Sequence, residues 1–150
     1  MRPAGFDHGR FAGNLLGPLL NFVVPRGLGV VVTAGAGFRI ARDPDTVRVP
    51  DVAFVRAERI PPGSVKGVFQ GAPDIAVEIL SPDDRPSDVT AKAQDWLRAG
   101  CSLAWFVNPD TSTVSVYRRG SEIAVLKEAD ALTGGEVLPG FSVPVAEVFA

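Results

Sequence analysis

The sequence predicts a domain of the α/β or α+β class, in which a mixed β-sheet is flanked by a few helices. Residues 74–80 are mainly apolar on both faces, which is typical of a strand buried inside a sheet. Residues 86–99 have the spacing of an amphipathic helix. Short β-branched runs and turns rich in Gly and Pro lie around them. The expected order is one helix, four strands, one helix and three strands.

The first helix is expected over residues 8–24, and a glycine-rich break at residues 27–29 follows it. Pro18 marks a point where this helix can kink. The apolar side chains recur at helical spacing, at Phe11, Leu15, Leu19 and Phe22.

Three strands are expected next. Residues 29–33 are rich in β-branched side chains, and residues 38–41 are expected to pair back on them as a hairpin. After a turn at residues 43–46, the alternation of residues 47–56 predicts a single strand. Pro50 inside it suits an edge position or the start of a strand.

Residues 58–72 are expected to form a loop, and the buried strand at residues 74–80 follows it. Pro86 suits the first turn of the second helix, and Gly100 suits the position just after its end. The apolar stripe of this helix consists of Val89, Ala93, Trp96 and Leu97.

The last strands are expected at residues 103–107 and 113–118, which form a hairpin, and at residues 123–126. The tail beyond them is rich in Gly and Pro and is expected to be irregular. It is expected to pack three apolar side chains on the core, namely Phe141, Val143 and Phe149.

Composition excludes several classes of protein. The net charge of −2 excludes charge-driven wrapping of nucleic acid. Cys101 and His8 are the single residues of their kinds, which excludes a disulfide framework, a cysteine-rich zinc site and a multi-histidine metal site within one chain. No apolar run reaches ~18 residues, so no membrane span is expected, and a cytoplasmic location is expected.

Motifs of several enzyme classes are absent from the sequence. It contains no phosphate-binding glycine loop and no G-x-S-x-G element. Cys101 lies between a glycine that ends a helix and an apolar strand, which is typical of a small buried residue rather than of a nucleophile. The remaining candidates for chemistry are carboxylates.

Asp51 and Glu78 are the principal candidates for a metal site. Asp51 follows Pro50 within a predicted strand, and Glu78 lies in an apolar strand, where burying an unpaired carboxylate is costly. On neighbouring strands the two carboxylates would converge, and such ligands suit Mg²⁺ or Mn²⁺. Lys92 on the next helix would orient a metal-bound water or balance charge during phosphodiester hydrolysis.

Each of these residues also has a purely structural interpretation, which the sequence leaves open. Asp51 would cap a turn, and Glu78 would pair with an arginine. Lys92 would pair with Asp88, one helical turn away. His8 would be a surface residue at the start of a helix.

A set of motifs extends over nearly the whole chain. The most specific is A-P-D-I-A-V-E-I-L-S-P at residues 72–82, and V-P-D-V-A-F-V at residues 49–55 and W-F-V-N-P at residues 105–109 accompany it. Further matches are His8-Gly9, D-P-D-T at residues 43–46, V-Y-R at residues 116–118 and L-P-G-F at residues 138–141. Together these motifs resemble the Uma2 family, the DUF820 group of restriction-endonuclease-like proteins.

The length of 150 residues predicts one domain, residues 1–150. The resemblance implies that this domain is a PD-(D/E)xK nuclease core with a divalent-metal site. It implies that Asp51 belongs to the PD element and Glu78 to the (D/E)xK element. Leu80 stands at the lysine position of that element, and the lysine is expected in the next helix, as Lys92. The resemblance also implies the backbone carbonyl of Ile79 as a metal ligand, and as supporting residues His8, Asp74 and Asp88.

The resemblance further implies an N-terminal segment before the His-Gly helix. This chain begins Met-Arg-Pro-Ala-Gly, which resembles the end of that segment. We therefore expect an open sheet edge, and a homodimer that covers it.

The expected function is a metal-dependent endonuclease that acts on DNA with Mg²⁺ or Mn²⁺. One alternative is a protein that keeps a nuclease fold but acts without catalysis, as a nucleic-acid-binding module or a scaffold. Another is a different phosphate-ester hydrolase with the same ligands, which the sequence does not separate from a nuclease. The presence of Asp51, Glu78 and Lys92 together favours catalysis.

Overall fold

A computed structural model describes residues 5–150. Residues 1–4, which hold most of the N-terminal start considered above, lie outside the described residues. The elements in chain order are α1 Phe6–Arg26, β1 Gly29–Thr33, β2 Phe38–Ala41, β3 Thr46–Arg48, β4 Val52–Arg56, β5 Phe69–Gln70, β6 Ile75–Ile79, α2 Pro86–Arg98, β7 Leu103–Asn108, β8 Thr113–Tyr117, β9 Ala124–Leu126, β10 Ala131–Gly134, β11 Leu138–Pro144 and α3 Val145–Val148. A short 3₁₀ helix at Ala57–Arg59 follows β4.

The main sheet has six strands in the order β1-β4-β6-β7-β8-β9. β6 and β7 are parallel and are connected through α2, whereas the other neighbouring strands are antiparallel. The predicted mixed sheet flanked by helices is therefore confirmed. The predicted hairpin of β7 and β8 is also present.

β6 separates two cores, because successive side chains of a strand point to opposite faces. Ile75, Val77 and Ile79 belong to the core that contains the buried stripe of α1. Ala76 belongs to the core that contains Trp96 of α2. The same alternation places Glu78 on the α2 face of the sheet.

α1 is longer than predicted at both ends and continues through Pro18. Leu15 and Leu19 on either side of this proline are fully buried, so packing holds the helix together where one backbone hydrogen bond is missing. Gly27 ends the helix in the left-handed conformation, at φ 61°. Although α1 has 21 residues, no helix within residues 5–150 is long and apolar enough to cross a bilayer.

Two predictions about the strands between α1 and β5 are wrong. β1 does not form a hairpin with β2; it pairs with β4, while β2 lies with β3 and β5 in a separate three-stranded sheet. Residues 47–56 do not form one strand, because the chain breaks at Pro50 into β3 and β4. The predicted loop at residues 58–72 also contributes β5 to the small sheet.

The predicted irregular tail is also wrong, since β10 and β11 pair with each other and α3 follows them. Alternate side chains of these two strands point into the core. Among them, Leu132 and Leu138 are nearly inaccessible to solvent. The predicted packing of Phe141 and Val143 on the core is confirmed. Phe149 is half-buried, with its ring centroid 5.5 Å from that of Phe11.

Candidate functional site

Asp51 lies where β4 begins to pair with β6. Its N–H donates to the carbonyl of Val77 at 3.0 Å, and its Oδ2 accepts a hydrogen bond from the N–H of Ile79 at 2.7 Å. The residue before Asp51 is Pro50, which has no N–H to donate and lies outside the strands. The carboxylate therefore satisfies a strand N–H beyond the last paired residue, and this contact fixes its position.

Glu78 lies on the middle strand of the site and is 8% exposed. The register that pairs Val52 with Val77 places Asp51 beside Glu78. Lys92 of α2 reaches it from above the sheet, with Nζ 3.2 Å from Oε2 of Glu78. The structural interpretation paired Glu78 with an arginine and Lys92 with Asp88. In the structure Glu78 and Lys92 instead pair with each other.

The pKa of Glu78 is raised from 4.5 to about 7. Burial is the largest cause, and the negative charge of Asp51 acts in the same direction. The ion pair with Lys92 opposes both. One ammonium group therefore does not offset the cost of holding two carboxylates in this partly dehydrated place.

His8 approaches Asp51 from the side of the sheet that packs against α1. It lies in the first turn of α1, and its Nε2 is 3.4 Å from Oδ1 of Asp51. Both side chains are partly exposed, at 24% for His8 and 19% for Asp51. The two oxygens of Asp51 thus contact different elements, α1 through Oδ1 and β6 through Oδ2.

Arg48 and Asp95 were not among the predicted site residues, yet they border the site. Arg48 of β3 forms an ion pair with Asp95 of α2, and its charge lowers the pKa of Glu78. Arg48 precedes Asp51 by three residues, and Asp95 follows Lys92 by one helical turn. This spacing is a weak signal in the sequence, because nothing there shows that β3 and α2 meet.

Asp74 and Asp88 are not brought into this cluster. Asp74 lies at the other end of β6, roughly 13 Å along the strand from Glu78, where it accepts a hydrogen bond from the N–H of Arg56 at 2.8 Å. It also pairs with Arg59 at 3.0 Å. Asp88 is exposed in the first turn of α2.

The donors of the site fit a hard divalent cation. Asp51 and Glu78 offer carboxylate oxygens, and Mg²⁺ is often held by one or two carboxylates while it keeps several waters. Because burial raises the pKa of Glu78, a further positive charge beside it would favour its ionised form. Within residues 5–150 no group of three or more His, Cys, Asp or Glu side chains is arranged to hold an ion, so backbone or water oxygens would complete the coordination.

A cleft of about 960 Å³ opens on the His8 side of these residues. Its walls come from the first turn of α1, from the loop after β6 and from the turn between β7 and β8. His8 and Leu80 are part of the wall, whereas Asp51, Glu78 and Lys92 are not. The cleft offers room for a ligand next to the carboxylates.

Comparison with known proteins shows a family match and similarity to solved structures. Residues 1–146 match the model of the family Uma2, described as "Putative restriction endonuclease". A crystal structure at 1.96 Å from Anabaena variabilis ATCC 29413, described as "a putative nuclease belonging to DUF820", is 25% identical with a TM-score of 0.86. The match covers 99% of this chain and 83% of that chain. No curated protein matches significantly.

Proposed function

The chain belongs to the Uma2 family of restriction-endonuclease-like proteins, and from this membership and the site we propose that it is a divalent-metal-dependent endonuclease that hydrolyses the phosphodiester bonds of DNA. One observation carries the proposal. Glu78 is a nearly buried carboxylate in an apolar strand, next to a second carboxylate and in contact with a lysine. A purely structural role does not explain why two acids lie where burying their charge costs free energy.

In this proposal Asp51 and Glu78 hold Mg²⁺ or Mn²⁺ together with the backbone carbonyl of Ile79. When bound, the cation supplies a more acidic water and a positive charge close to the scissile phosphate. Asp51 is suited to this role because its Oδ2 is anchored by the N–H of Ile79. The same contact holds the Asp51 carboxylate against the backbone of β6.

Lys92 orients the attacking water and balances the negative charge that develops on the phosphate oxygens. Its ammonium group lies 3.2 Å from Glu78 and its side chain is 32% exposed, so it can contact both the carboxylate and an incoming substrate. His8 contacts Oδ1 of Asp51 and keeps this carboxylate oriented from the cleft side. In the balanced reaction, water adds to phosphorus, one P–O bond breaks, and the leaving oxygen takes a proton.

The experiment measures cleavage of supercoiled plasmid and of single-stranded DNA with Mg²⁺ or Mn²⁺ and with EDTA. We expect cleavage by the wild type that needs the cation. Glu78→Gln and Asp51→Asn should each lower the rate by at least about 100-fold, since each removes a proposed ligand. Lys92→Gln should lower kcat with little change in KM, because the group acts mainly on the transition state.

Glu136→Gln is the matched control, because it also neutralises one acid but lies exposed outside the site. It should cleave like the wild type. Equal residual activity in the wild type and in Glu78→Gln would refute the assignment of the site. Absence of any cation-dependent cleavage by the folded wild type would favour the non-catalytic alternative.

A further inference from the structure

A second groove, of about 600 Å³, lies between α2 and the segment that follows β8, and the proposed site does not use it. Arg98, Arg118 and Arg119 line this arginine groove, together with one acid, Glu122. Residues 61–150 carry twelve acids and only seven basic residues, and three of those seven are in the groove. The groove is therefore a local concentration of positive charge in an acidic part of the chain.

The arginines of this groove are partly held in place. Nη2 of Arg119 donates to the carbonyl of Leu97 at 2.8 Å, at the C-terminal end of α2. Arg98 is 75% exposed, with Nη1 3.8 Å from Asp95. A guanidinium has five N–H donors, so each of these side chains keeps donors for a phosphate.

The arginine groove lies on the same face of the sheet as Glu78. Glu78 pairs with Phe106 of β7, and Ala104 of β7 pairs with Tyr117, which lines the groove. Tyr117 is thus two strands away from Glu78 across the sheet and is displaced from it by two residues along the strand direction. Their Cα atoms are roughly 12 Å apart by strand geometry, close to the rise of three or four base pairs.

α2 lies between the site and the groove. Lys92 extends from one side of this helix to Glu78, and Leu97 on the other side lines the groove. The exposed side of the helix between them contains Ser87, Ala91 and Gln94 at helical spacing. Next to Lys92 it also contains two acids, the exposed Asp88 and Asp95, which is paired with Arg48. An anionic strand that crosses this side of the helix meets positive charge at both ends of its path.

We propose that the arginine groove is a second contact for the sugar-phosphate backbone, so that nucleic acid lies across α2. One phosphate is then at Lys92, and phosphates a few nucleotides away are at Arg98 and Arg118. This inference rests on the proposed function. The shared helix favours nucleic acid over an acidic protein, because it makes the groove continuous with the proposed catalytic site.

The test measures binding of a labelled 20-base-pair DNA by fluorescence anisotropy in EDTA, at several salt concentrations. The variant is Arg98→Gln/Arg118→Gln, and Arg119 is kept because it also binds Leu97. We expect Kd to rise by about tenfold and the slope of log Kd against log salt to fall by about 2, one for each lost phosphate contact. Lys66→Gln/Lys127→Gln removes the same charge from exposed positions outside the groove and should stay within about twofold of the wild type.

Cleavage of the same duplex separates binding from chemistry. The groove variant should raise KM and leave kcat at saturating DNA near that of the wild type. Two results would overturn the proposal: equal Kd and salt slope in the two double variants, or competition by poly-glutamate as strong as that by unlabelled DNA at equal charge. Arginine-dependent binding without cleavage by the wild type would support the groove while refuting the proposed function.

Discussion

Protonation of Glu78 couples the site to the stability of the protein. The pKa of this carboxyl is raised from 4.5 to about 7, chiefly by burial. Between these two pH values the folded state holds a proton that the unfolded state has released. The free energy of unfolding therefore falls as pH rises through this window, by on the order of 3 kcal/mol without a bound cation.

Glu78→Gln should remove this pH dependence, since glutamine does not titrate. Urea unfolding in EDTA should give a variant that gains on the order of 3 kcal/mol relative to the wild type between pH 4.5 and pH 8. Glu136→Gln, exposed outside the site, should follow the wild-type profile. Parallel pH profiles for the wild type and Glu78→Gln would show that burial of Glu78 does not have this cost.

Cys101 should be unreactive in the folded protein. The residue is fully buried, its Sγ lies 3.1 Å from the carbonyl of Leu103, and burial raises the pKa of the thiol to about 12. Almost no thiolate is present at pH 8, so a maleimide should modify the wild type only after unfolding in urea. Ser102→Cys in a Cys101→Ala background offers an exposed thiol at the next position as the reactive control. Native modification of the wild type at the rate of this control would contradict the prediction.

Single residues differ in how far the sequence reveals them. Glu78 is conspicuous because an acid interrupts an apolar strand, and Asp51 because it follows a proline inside an alternating run. The Arg48–Asp95 pair was missed because its partners are 47 positions apart and each is an ordinary surface residue by composition. Such a pair becomes visible only after β3 and α2 are placed in space.

At the scale of elements, the wrong predictions for β1 and β2 concern which strands pair with each other, not which residues form strands. β1 and β2 have the expected strand character, but short apolar strands do not encode which partner each will take. The run over residues 47–56 has strand character on both sides of Pro50, alternating before it and continuously apolar at residues 52–55. It divides at Pro50 because proline cannot continue the ladder. That division separates β3 from β4 and leaves Asp51 directly before the first residue of β4, at the end of the main sheet.

The ion pair between Arg48 and Asp95 should position Lys92, because it joins the strand before Asp51 to the helix that carries Lys92. Arg48→Asp and Asp95→Arg should each lower kcat by about 10–100-fold with a smaller change in KM. The double variant restores opposite charges and should recover part of this loss. Arg48→Lys should also recover activity relative to Arg48→Asp.

A double-mutant cycle on kcat tests this role against a general loss of folding. The melting temperature of each variant is measured beside its activity. If the effects of the two single variants simply multiply in the double variant, the pair does not position Lys92. Arg26→Asp, a charge reversal at the exposed end of α1, serves as the control.

At the scale of the whole molecule, the site is assembled from segments far apart in the chain. α1 supplies His8, the start of β4 brings Asp51, β6 carries Glu78 and α2 provides Lys92. The order β1-β4-β6-β7 brings these segments together, and local sequence patterns do not specify that order. The sequence therefore predicts a sheet flanked by helices and identifies the candidate carboxylates. That these carboxylates lie close together depends on the order of the strands in the sheet. The expected homodimer stays a prediction.

Because the proposed metal site joins β4 to β6 in the middle of the fold, occupancy should stabilise the whole molecule. A ligand that binds only the folded state at 100 times its Kd adds about 2.7 kcal/mol, which for ~150 residues raises Tm by roughly 5–10 °C. We expect such a rise with Mn²⁺ or Mg²⁺ at pH 7.5, and a smaller one at pH 5.5, where protons compete for Glu78. Glu78→Gln should show little rise, and Glu136→Gln should respond like the wild type. An equal rise in Glu78→Gln would show that the cation binds elsewhere, and the metal role of Glu78 would then be wrong.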